Sequence, residues 1–320
     1  MRDPACVVKW GVVAWAGAVM FAGSGCTSVA RKIIQGTDHG APAAVVAESE
    51  RHELLELTTR EGTKIAAMFG AALDAEGNAR ADAARRPTVI FCYPGGYTLR
   101  RTEEIFQRWR RRGANVIVPE YPGFGMSEGE PTEEGCYAAA EAAWMYLNSR
   151  DGIDREKIVA AGWSVGGGAA VDLASRRPVR GLIVFGTATG MADVVERIAD
   201  ESAPWKWIPR WTIELLVSKV RLDSVSKMPA VGCPVLVVEG GADELVPKEM
   251  TDRLVAAART RVTRHTVPGA RHGDLLKEER EELWRVVEAW MEEVEDVADH
   301  PTAAAGVEGS QRSDRTGRVT

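Results

Sequence analysis

Gly162, Trp163, Ser164, Val165 and Gly166 set a serine between two glycines, where an apolar strand pattern over residues 157–162 gives way to a helix pattern rich in small residues. In that context the pentapeptide predicts a sharp strand-to-helix corner with Ser164 at its apex. The glycines let strand and helix approach without a Cβ clash, and the serine takes a strained backbone conformation that raises its hydroxyl above the sheet. At a helix start the dipole favours developing negative charge. Nucleophilic attack by Ser164 Oγ is the chemistry this suits. A phosphate loop could occupy a similar corner, but the pattern G-x-x-x-x-G-K is absent.

A serine hydroxyl is a poor nucleophile until a base takes its proton, and a histidine base needs an orienting carboxylate. Of the five histidines, His39 lies in a polar N-terminal stretch, His300 in the tail, His52 before the first strand pattern and His265 inside one. His272 follows Val267, Pro268 and Gly269 in a loop just beyond a strand, where functional residues of open α/β sheets collect. The strand pattern 234–239 runs into Gly240, Gly241, Ala242 and Asp243, which makes Asp243 the expected acid. Glu239 and Glu244 compete with it, their ordinary roles being solvation or charge at a helix start.

Elements must hold these three groups together. Strand patterns at 88–93, 115–120, 157–162, 181–185, 234–239 and 261–267 alternate with helix patterns at 103–111, 132–147, 165–175, 248–258 and 277–294. Such alternation implies parallel strands joined by helical crossovers, hence an α/β fold with a doubly wound, mostly parallel sheet. Apolar runs at 54–57 and 64–69, separated by Arg60, Glu61 and Gly62, predict a leading hairpin. Between Phe185 and Pro234 the chain leaves the sheet for an insertion, about 186–233, expected to be a small helical cap. It carries Met191, Trp205, Trp207, Ile208, Trp211, Leu215 and Leu216. Tryptophans suit sites with one apolar and one wet side, so the cluster either lines an acyl pocket or contacts lipid, or simply packs cap helices on the core.

With 320 residues, 45% hydrophobic and 27% charged, the chain reads as globular. Its net charge of −6 provides no basic field for phosphate backbones, so nucleic acid is not an expected partner. Cys6, Cys26, Cys92, Cys136 and Cys233 lie far apart, implying neither a metal site nor a disulfide framework. Arg2 and Lys9 precede a short apolar run, 10–22, with the length of a secretory signal. Gly23, Ser24 and Gly25 then lead to Cys26, and this resembles a bacterial lipoprotein signal, implying export, lipid attachment at Cys26 and a membrane-anchored protein of the cell envelope. The expected organisation is a signal segment 1–26, a tether 27–51, a folded domain 52–297 and a disordered tail 298–320.

Three motifs together carry a wider resemblance. Besides GWSVGG, the chain has VIVPEYPGFGMSEG at 116–129 and VLVVEGGADELVP at 235–247, followed by Gly269, Ala270, Arg271 and His272. The chain order Ser164, Asp243, His272 is that of the α/β hydrolases. Over about residues 52–295 the sequence is similar to that superfamily, and within it to the lysophospholipase-like and serine-aminopeptidase-like branch. The resemblance implies a serine hydrolase, without cofactor, that cleaves an ester, thioester or amide of a small or lipid-like acyl substrate through an acyl-enzyme. A peptidase on short peptides and a non-catalytic binding protein of the envelope are the alternatives. Relatives commonly carry His-Gly before the oxyanion hole, where this chain has Tyr93, Pro94, Gly95 and Gly96. Backbone amides do that work and Pro94 has none, so Val165 and Gly96 are the expected donors, with Gly95 or Tyr97 able to replace Gly96. Glu120 and Pro122 stand where relatives often carry Asp and Arg, an exchange expected to alter a structural ion pair rather than the chemistry.

Overall fold

The computed structural model describes residues 52–200, 209–216, 220–277 and 280–299. The signal segment with Cys26, the tether, Trp205, Trp207, Ile208 and the tail beyond 299 lie outside these residues.

Among the described residues eight strands form one sheet: β1 (Glu53–Thr58), β2 (Lys64–Gly70), β3 (Thr88–Cys92), β4 (Asn115–Pro119), β5 (Ile158–Trp163), β6 (Gly181–Phe185), β7 (Val235–Gly240) and β8 (Val262–Val267). Their order is β1-β2-β4-β3-β5-β6-β7-β8. β1 and β2 form the leading hairpin, β2 joins β4 antiparallel, and every later pairing is parallel. The parallel strands β3 to β6 are buried along their whole length, as continuous apolar runs covered on both faces must be.

The helices are α1 (Leu99–Arg111), α2 (Glu133–Ser149), α3 (Val165–Arg176), α4 (Met191–Asp200), α5 (Arg210–Leu216), the single turn α6 (Ser224–Lys227), α7 (Lys248–Ala257) and α8 (Glu281–Asp299). Successive residues of a strand point to opposite faces, and β3 shows which helices cover which face. Phe91 meets Trp109 of α1, whose indole in turn packs edge to face on Trp284 of α8 at 5.0 Å. Cys92, one residue on, points to the opposite face and is buried in the core with Cys136 of α2. On that second face Glu141, at the middle of α2, binds Arg176 and Arg177 at the end of α3. The doubly wound sheet inferred from alternation is thus the observed one.

Most boundaries agree with the sequence expectation to within two residues; at three helix ends the difference is informative, one of them the start of α8 at Glu281 rather than 277. α1 begins at Leu99 rather than 103, and α8 runs to Asp299, past the expected domain end at 297. For α1 the cause is tertiary: Thr98, at the N-cap, makes no side-chain cap, and the Leu99 amide instead donates to the distant Glu120 carboxylate at 3.3 Å. No local pattern could reveal that partner.

The chain winds from β3 to β4 on one side and reaches β5 on the other, so β3 and β5 flank the point where strand order reverses. In open α/β sheets a crevice forms there, outside the carboxyl ends of the strands.

Candidate active site

Ser164 sits between the end of β5 and the start of α3 with φ 56° and ψ −119°, a region that costs a residue with a side chain of order 1–3 kcal/mol. Packing enforces it. A Cβ on Gly162 would lie 2.1 Å from the Gly166 carbonyl oxygen, and one on Gly166 would lie 2.0 Å from the carbonyl oxygen of Cys92. The glycines therefore let α3 press directly on the backbone of β3 and β5. The Ser164 amide remains in the sheet, donating to Phe185 O at 2.9 Å, while the side chain leaves it. Gly166→Ala is accordingly expected to destabilise the fold by about 3 kcal/mol or more, because the obstacle is backbone that cannot rotate away; thermal unfolding of the purified variant measures it.

His272 opens a 3-10 turn, His272–Asp274, after β8, and Asp243 lies in the loop after β7. Nδ1 of His272 is 2.8 Å from Asp243 Oδ2, and Nε2 is 3.0 Å from Ser164 Oγ. A carboxylate accepts only, so Nδ1 carries the proton and Nε2 is left to accept from the serine hydroxyl. Asp243 is held by its own loop: Oδ1 accepts the amides of Leu245 at 3.0 Å and Val246 at 2.8 Å. The Asp243 side chain is fully buried, while that of His272 stays 16% exposed. Gly186, at φ +47°, backs the pair from the end of β6; a Cβ there would press on Asp243 Oδ2 and His272 Nδ1 at 3.3 and 3.4 Å. Trp163 forms one wall, its ring 6.3 Å from the imidazole and 5.5 Å from that of Tyr97.

The turn of residues 94–97 follows β3. Tyr97 N–H donates to Pro94 O at 3.3 Å, and Gly96 has φ +78°, as the third position of a type II turn requires. That bond commits the Tyr97 amide, which removes Tyr97 as a donor to substrate and leaves Gly96 or Gly95. Val165 is the first residue of α3, so its N–H has no carbonyl four residues back within the helix. Because Gly166 abuts Cys92 and Tyr93, both sets of amides lie at the same end of the sheet as Ser164.

The other expected residues fall elsewhere. Glu239 is not a solvated or helix-start acid: it is buried on β7, accepts from Arg264 at 2.6 and 2.9 Å and from Thr266 Oγ1 at 2.6 Å, and so has no free oxygen for His272. Burial works to raise its carboxyl, but the bonds from Arg264 and Thr266 overcome this and hold it below its ordinary range. Glu244 is exposed. His52 is buried edge-on to Phe106, and His265 lies on β8 opposite Val238. Cys92, beside the corner, is no rival nucleophile, since burial pushes its thiol up to about 12.

Glu120 holds no ion pair among the described residues, in keeping with an altered one. Its carboxylate is buried and accepts from the amides of Leu99 and Met126 and from Ser127 Oγ. Burial raises its pKa. In the insertion, Met191 and Ile213 are buried, whereas Trp211 and Leu215 are 68% and 60% exposed. Trp211 therefore neither packs in the core nor lines an enclosed pocket here. Gly186 escaped sequence reasoning because it belongs to no spaced pattern, and Trp163 because the pentapeptide leaves its position unspecified.

Comparison with known structures places the fold among the α/β hydrolases. The Pyrococcus furiosus esterase Pf2001 superposes with a TM-score of 0.62 at 16% identity, over 79% of this chain and 97% of that one. A thermophilic esterase from Thermogutta terrifontis gives 0.53 at 21% identity, over 76% and 99%. Within that class the chain belongs to the prolyl oligopeptidase family, whose model matches residues 105–296. An uncharacterized protein of Mycobacterium tuberculosis is 31% identical over 191 residues, 59% of this chain and 63% of the relative, so the chain spans less than two thirds of that relative's length. Human alpha/beta hydrolase domain-containing protein 17B is 27% identical over 229 residues, 71% and 72% of the two chains.

Proposed function

We propose that this protein is a serine hydrolase that cleaves a carboxylic ester or thioester, or an amide, through an acyl-enzyme. The observation that carries the reading is the unbroken relay Ser164 Oγ, His272, Asp243, with contacts of 3.0 and 2.8 Å. As Ser164 Oγ bonds to the carbonyl carbon, its proton passes to His272 Nε2, and buried Asp243 stabilises the imidazolium through Nδ1. The carbonyl oxygen gains the negative charge, which the amides of Val165 and Gly96 receive. The intermediate collapses, the bond to the leaving group breaks, and Nε2 returns the proton to that group. Water then repeats the sequence on the acyl-serine and frees the acid. Labelling of Ser164 by a fluorophosphonate probe, with turnover of a short activated ester, tests this directly.

Ester chemistry is favoured by the two esterases that share the fold. The family match favours a second reading, a peptidase on short peptides. Comparing an activated ester with an aminoacyl anilide of the same acyl group separates the two.

The substrate's setting follows from the N-terminal pattern. Lipid attachment at Cys26, after export, would hold the hydrolase at the cell envelope, since each buried methylene contributes about 0.8 kcal/mol and several chains together anchor stably. Cys26→Ser is expected to move the protein from the membrane pellet to the soluble fraction or to leave it as precursor. Equal membrane fractions for variant and wild type would instead favour an uncleaved apolar anchor at 10–22.

A further inference from the structure

We infer that Glu120 and Tyr121 are positioning residues for the turn that supplies the Gly96 amide; the inference rests on the hydrolase reading above. These consecutive residues leave the end of β4 and take hold of one loop at both of its ends. At the front, Tyr121 Oη donates to the backbone oxygen of Tyr93 at 2.7 Å, and Tyr93 Oη accepts the Tyr121 amide at 3.0 Å. The two rings lie 4.3 Å apart and both residues are wholly buried. At the back, Glu120 Oε1 accepts the amide of Leu99, the first residue of α1, where the carboxylate also complements the helix dipole. Only residues 94–98 span the interval.

The clamp is itself anchored. Glu120 Oε2 accepts the Met126 amide at 2.8 Å and lies beside Ser127 Oγ, which accepts the Ala66 amide of β2 at 3.0 Å. Gly125, at φ +43°, closes on the carboxylate so tightly that a Cβ would sit 2.2 Å from Oε1. Strand β2 is thereby connected through Ser127 and Glu120 to the turn. A loop built around Gly95 and Gly96 has unusual backbone freedom, yet an oxyanion donor acts only if it is oriented before the charge develops. Holding both ends of the loop restricts that freedom without placing any further side chain against the substrate.

The test compares full-length wild type, Glu120→Gln, Glu120→Asp and Tyr121→Phe on an activated ester and on its thiono analogue, in which sulfur replaces the carbonyl oxygen. A well-placed amide donor favours oxygen over sulfur, so displacement of the turn lowers the oxo-to-thiono rate ratio, which a merely structural loss would not move. For Glu120→Gln, kcat on the oxo-ester is expected to fall about 100-fold. KM should stay within about two-fold, because the donor acts in the transition state. Glu120→Asp, which keeps an acceptor of the same charge, should restore much of the rate and of the ratio. Tyr121→Phe removes one oxygen, keeps the ring, and should cost about ten-fold with a lowered ratio; it decides the matter if Glu120→Gln does not fold. Folded variants with wild-type kcat and ratio would overturn the inference while wild-type labelling at Ser164 leaves the hydrolase reading standing. Absence of that labelling would remove both.

Discussion

Ser164→Ala is expected to lower kcat on an activated ester by about 10⁶-fold and to abolish fluorophosphonate labelling, because among the described residues no other nucleophile is bonded to His272. Cys92, the neighbouring thiol, is buried and protonated at neutral pH. Alanine keeps the Cβ, and with it the backbone strain at φ 56°, and loses only the hydroxyl, so thermal stability should stay close to wild type. Activity loss without stability loss is therefore the signature. Wild-type turnover in pure variant protein would sink the enzymatic assignment, and the non-catalytic binding protein would be the reading left.

Asp243→Asn is expected to cost about 10² to 10⁴-fold in kcat, as the amide can neither stabilise the imidazolium nor enforce the tautomer that leaves Nε2 free to accept. The paired variant, Glu239→Gln, should behave in the opposite way. Its partner Arg264 also binds Asp252, so the guanidinium stays partly paired while a buried ion pair is weakened. Stability falls, and kcat of the folded fraction holds. Steady-state kinetics beside thermal unfolding of both variants reads the contrast. A larger kcat loss for Glu239→Gln than for Asp243→Asn would mean that the acid has been misassigned.

Much of this was legible in one dimension because the relevant signals are local. The corner at Ser164 is a five-residue steric requirement, and the central strands announce themselves as unbroken apolar runs between helical periods. Asp243 was preferred to Glu239 on strand geometry, because a residue past the strand end can turn toward the crevice whereas one within the strand is committed to a face; Glu244, also past the end, stayed a rival in the sequence and lies exposed in the structure. The type of fold, the order of its elements and the three groups of the relay were therefore determined by sequence. What Glu120 does was not. Its partners Leu99, Met126 and Ser127 belong to other elements, and only the winding of β4 beside β3 brings them within hydrogen-bond reach. The start of α1, the pairing of Glu239 with Arg264 and the loss of Tyr97 as a donor were decided in the same way. Each depends on a hydrogen bond whose partner is set by tertiary packing or by the detailed course of a turn. Hydrophobic periodicity specifies which face a residue takes, but a buried polar group is satisfied by whichever donor the assembled sheet delivers.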